Sequence, residues 1–157
     1  MAFRLQTLLD LKIKAEEDAE QAMAAAATVR AKAEKRQAEL EAIVVRAKEK
    51  LRELLTAPID DLAGADDLLG RERFRKRLQA DIELRKQEAQ AHRAGPLAAA
   101  ITAEAAARAE HLRIRQEREA LDKFKEKELA KEKVIAERRA EDNLGDLAIA
   151  AIARKQR

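Results

Sequence analysis

A chain of 157 residues with 33 basic and 30 acidic side chains carries a net charge of only +3, although 40% of its residues are charged. Aromatic residues make up 2%, and there are four glycines, two prolines and no cysteine. This excludes disulfides and thiolate chemistry, leaves too little large apolar volume for an ordinary globular core, and with so much alanine and leucine argues for a coiled coil over a disordered chain.

The first element is a helix over about residues 2–57, a stretch without glycine or proline from Phe3 to Leu55. Apolar residues recur at Leu8, Leu11, Ala15, Ala19, Ala22, Ala26, Val29, Ala33, Leu40, Val44, Ala47, Leu51 and Leu54. The steps are threes and fours if Gln37 fills one gap, so the spacing predicts a seam with two extra four-residue steps that relax the supercoil. The segment "TAPIDDLAGADDLLG" collects Pro58, Gly64, Gly70 and four aspartates. It is expected to be a turn over 58–70, with Asp66 or Asp67 capping the next helix.

A second helix is expected over about 71–154, with Phe74, Leu78 and Ile82 opening its apolar face. Gly95 and Pro96 interrupt it, which predicts a kink; a three-helix arrangement is the alternative. Folding the helices back with Ala57 opposite Arg71 sets Ala22–Ala27 against Ile101–Ala107, and Leu51 and Leu54 against Leu78 and Phe74. Small side chains face small ones, and large face large. The fold class is therefore all-α, one long antiparallel two-helix coiled-coil hairpin forming a single domain over 1–157.

The same register puts Leu8 opposite Ala120, so about thirty residues beyond Lys127, roughly 45 Å of helix, overhang. Pairs such as Lys123 with Glu126 and Glu128 with Lys131 keep this segment helical at a few tenths of a kcal/mol each. At its end Leu144, Leu147, Ile149 and Ile152 form an apolar surface that points to a partner.

Chemistry is expected to be absent: no catalytic residues, no cofactor and no metal site. His92 and His111 are read as solvent-facing helix residues, and no glycine loop suits a phosphate. The cluster "RERFRKRLQ" is interleaved with acids further along the helix, so no nucleic-acid partner is expected. No apolar run approaches the roughly 20 residues of a membrane span, and no cleavable leader is visible. A soluble intracellular protein without membrane insertion is the expectation.

Both termini resemble one family. "MAFRLQTLLDLKIKAEEDAEQAMA" is similar to the N-terminus of FliJ proteins, and "EREALDKFKEKELAKEKVIAERRAEDNLGDLAIAAIARK" to their C-terminal half, with Phe124 where the family has leucine. The resemblance extends to YscO-like cousins in virulence-type secretion. It implies a non-enzymatic stalk of a flagellar or type III protein export ATPase, lying in the cytoplasm at the inner membrane. Its implied partners are the hexameric ATPase, the cytoplasmic domain of the export gate membrane protein, and export chaperones. The resemblance also implies a ring-binding end made of Phe3, Leu5, Leu8, Leu9, Leu144, Leu147, Ile149 and Ile152, and a gate-binding pair, Phe74 and Leu78. The competing reading is a general coiled-coil scaffold or oligomerisation rod, which would form a stable homodimer through the long seam.

Overall fold

The structure is a computed structural model that describes residues 5–60 and 64–155. Helix α1 spans Gln6–Thr56 and α2 spans Ala65–His92. A π-helical turn, Arg93–Leu97, leads directly into α3, Ala98–Lys155. The chain divides into two compact units: Met1–Glu20 with Glu110–Arg157, and Gln21–Ala109. In each unit the cross-pairs run in opposite chain order, Gln6–Lys125 then Lys12–Glu117 in the first and Arg30–Glu104 then Gln37–His92 in the second, so α1 lies antiparallel to the chain it faces.

The turn is shorter than the expected 58–70. Gly64 is the N-cap of α2; Asp67, at the third helical position, accepts a hydrogen bond from the Gly64 amide at 3.3 Å and donates its own amide to the Gly64 carbonyl at 3.1 Å. With Asp66 and Asp67 in the first turn, the acidic segment expected to be loop is itself a favourable helix start. Arg71 ties the two helices together, donating to the carbonyls of Leu54 and Ala57 (2.7 Å), which α1 leaves free at its C-terminal end.

Gly95 and Pro96 do not reverse the chain. Within the second unit α1 pairs with His92 before the π turn, with Arg93 at its first residue, and with Glu104 after it. The helix absorbs the proline by widening one turn, so that the Ala98 amide bonds to the carbonyl of Arg93, five residues back. A proline in a regular turn would press on the carbonyl four residues earlier and lack the amide to bond it. The inward-facing series also steps by five here, from His92 to Leu97, and then resumes at Ala100 and Glu104.

The seam differs from the one expected on α1. Leu9, Gln37, Leu40, Val44 and Ala47 are buried, and the partly buried residues between them continue the series through Lys12, Glu16, Ala19, Met23, Ala26, Arg30 and Ala33. This is an unbroken alternation of threes and fours, a regular heptad without the two relaxing steps. Leu8, Leu11 and Val29, expected inside, are exposed, at 40%, 60% and 57%. They lie one residue from Leu9, Lys12 and Arg30, about 100° around the helix.

The long helix opposite contributes Ile82, Ala89, Ala100, Glu104 and Ile114 to the buried set. Phe74, expected against Leu54, is 51% exposed, because the inward positions at this end are Arg71, Arg75 and Leu78. From Leu129 to Lys155 every residue is exposed. Gly145 lies in this exposed stretch with no atom within 4 Å of where a Cβ would stand, and no glycine has a positive φ. Gly145→Ala is therefore expected to stabilise the C-terminal helix locally by about 1 kcal/mol, read as slower amide exchange around residue 145.

Candidate partner-binding surfaces

Four polar residues of α1 occupy seam positions, and each is answered from the opposite helix. Lys12 bonds to Glu117, and Glu16 meets Arg118, which also bonds to Asp122 at 2.8 Å. Arg30 donates to Glu104 at 3.0 Å and to Glu34 at 2.8 Å, while Arg108 donates to the other oxygen of Glu104. Glu104 is 3% exposed, so both its oxygens are satisfied where water scarcely reaches.

Gln37 completes the series. Its amide nitrogen donates to Glu41 at 2.8 Å, so its oxygen is the acceptor for His92 Nδ1 at 3.0 Å, and Arg93 closes the network onto Glu41. His92 and His111 are thus half-buried seam residues, not the solvent-facing ones expected. A side chain on the inward face of a heptad is partly covered whatever its polarity. Among the described residues no group of three or more His, Cys, Asp or Glu side chains could hold a metal ion.

Hydrogen bonding holds several of these carboxyls below the usual range. For Glu104 the largest cause is the bond from Arg30, opposed by burial; for Glu117 it is the bond from Lys12, and for Glu41 the bond from Gln37 followed by that from Arg93. A carboxyl depressed in the folded state adds stability that is complete above its unfolded pKa of about 4.3 and is lost as the pH falls through the folded value. The melting temperature is accordingly expected to be flat near neutrality and to fall below about pH 4, as followed by circular dichroism. A melting temperature that rose on acidification would contradict these pairings.

The residues expected to contact partners fall into three groups. Leu144, Leu147, Ile149 and Ile152 are exposed at 66%, 67%, 68% and 58%. At about 100° per residue they form two stripes, Leu144 with Leu147 and Ile149 with Ile152, instead of one surface. At the N-terminal end Leu5 and Leu8 are exposed, whereas Leu9, at 3%, is buried in the seam; Phe3 lies outside the described residues. Near the turn Phe74 is exposed, while Leu78 is half-buried and lines a groove of about 220 Å³ with Ile43, Ala47, Arg46 and Lys50. Further exposed apolar side chains at this end are Leu55, Ile59, Leu68 and Leu69.

What sequence reading missed was the polar half of the seam. The signal was present, since Leu9, Lys12, Glu16, Ala19, Met23, Ala26, Arg30, Ala33, Gln37 and Leu40 keep perfect heptad spacing. A count restricted to apolar residues passes over it.

Antiparallel helix pairs with polar layers in the seam, and apolar side chains displayed on helix surfaces, define an all-helical coiled-coil protein. No helix among the described residues is long and apolar enough to cross a membrane. The model of the YscO-like protein family matches residues 1–155, and the chain belongs to that family, whose members are related to type III secretion. Neither a curated protein nor a solved structure matches it.

Proposed function

We propose that this chain is the non-enzymatic central stalk of a type III protein export ATPase, in the manner of FliJ. The observation that carries the reading is the C-terminal helix, exposed on every side from Leu129 to Lys155 and carrying four large aliphatic side chains near its end. An apolar, fully exposed helix end on a coiled-coil protein of a secretion-related family is suited to insertion into another protein. Leu144, Leu147, Ile149 and Ile152, with Leu5 and Leu8, form the contact with the hexameric ATPase. Phe74 and Leu78 serve the export gate, and export chaperones are further partners. The protein works in the cytoplasm at the inner membrane. Its mechanism is coupling: an asymmetric helical element binds the subunit states of the ring unequally and so biases them.

The test is to add the purified protein to a hexameric export ATPase and record assembly and ATP hydrolysis. Both are expected to rise. Absence of binding together with unchanged hydrolysis rules the stalk out and leaves the scaffold reading.

A further inference from the structure

The C-terminal helix has a pattern that the stalk reading does not use. Along one face, at steps of three and four, stand Glu137, Ala140, Leu144, Leu147, Ala151 and Arg154. Read backwards the series has the same sizes in the same places, and its two ends carry opposite charge. A face with this pattern matches itself about a two-fold axis. If the helix of a second copy runs antiparallel, with the axis between residues 145 and 146, Leu144 meets the second copy's Leu147 and Ala140 its Ala151. Glu137 meets its Arg154. Each contact occurs twice, as an isologous interface demands.

We propose that this face binds a second copy of the chain, forming an antiparallel helix pair over residues 137–154. Every side chain it needs is exposed: Leu144 and Leu147 at 66% and 67%, with Glu137 held only by a 3.9 Å approach of Lys133. The two leucine pairs supply the apolar centre, the alanines let the helices lie close on either side, and the ion pairs fix direction. A parallel arrangement in register would set Glu137 against Glu137 and Arg154 against Arg154, so charge selects the antiparallel one. The overlap is about 27 Å of helix, too short to bury the roughly 1,200 Å² of a stable complex. The dimer is therefore weak and reversible. Because Leu144 and Leu147 also belong to the proposed ring contact, self-association and ring binding compete for the same side chains. Pairing thereby covers the Leu144 and Leu147 stripe when no ring is present.

Sedimentation of the full chain across a concentration series tests the interface without reference to any ATPase. A monomer–dimer equilibrium is expected, weakened at least tenfold by Leu144→Glu. Glu137→Arg and Arg154→Glu are each expected to weaken it several-fold, and the double charge swap to restore it. Ile149→Glu, on the outward stripe, is expected to leave it unchanged. The segment makes no seam contacts, so these substitutions leave the rest of the fold intact, which circular dichroism checks. A chain that remains monomeric throughout, or a dimer indifferent to Leu144→Glu, overturns the proposal. Failure of the swap to restore association overturns the antiparallel register. Loss of ATPase stimulation bears on the stalk reading alone.

Discussion

A chain with Leu144, Leu147 and Ile152 all replaced by glutamate is expected to lose its stimulation of an export ATPase while keeping its helical content. Each of these side chains is more than half exposed. Burying each against a partner is worth roughly 1.5 kcal/mol or more, and a carboxylate forced into the same pocket carries a desolvation cost instead. Together the three changes should weaken binding by at least a hundredfold, about 2.7 kcal/mol. Glutamate is a good helix former, so the helix itself survives. If hydrolysis is still stimulated to the same degree at the same protein concentration, the contact lies elsewhere on the molecule.

The largest effect on stability is expected from Ile82→Ala. Ile82, at 4% exposed, is the most buried large side chain of α2. Truncation removes its transfer free energy and leaves a gap that two stiff helices close only in part, so a loss of about 2–3 kcal/mol is expected from urea unfolding. Leu84, two residues on and 56% exposed, is the matched control; its truncation should cost under about 0.5 kcal/mol. The contrast tests the seam directly. Equal effects at the two positions would mean that α2 turns a different face inward.

The polar layers explain how a helix pair with so few large buried side chains keeps one register. Sliding one helix past the other by a turn would leave Glu104 without Arg30 and Gln37 without His92, groups that are 3% and 6% exposed. An unsatisfied buried polar group costs more than a lost apolar contact of the same size. Alanine against alanine gives no such discrimination, since neighbouring alanines are interchangeable. Register is thus set by the polar pairs, and the aliphatic residues supply most of the binding energy between the helices.

Much of this molecule was determined by its sequence alone. Scarce glycine and proline, abundant alanine, leucine and charge, and apolar spacing of threes and fours required long helices. Pro58, Gly64 and the aspartates placed the reversal, and a C-terminal stretch with no intramolecular complement was left to protrude. The phase of the seam was not determined in this way. On α1 the stripe through Leu8, Leu11 and Val29 is the more apolar, yet the helix buries the stripe one residue away, through Leu9, Lys12 and Arg30. Apolarity within one helix cannot decide between stripes that share Ala19, Ala26 and Ala33. The decision belongs to Glu117, Arg118 and Glu104 across the pair, which turn Lys12, Glu16 and Arg30 from liabilities into partners. The π turn is of the same kind. Pro96 announces a defect, but only the packed helix on the far side decides that one extra residue is absorbed within a single turn, keeping Glu104 beside Arg30.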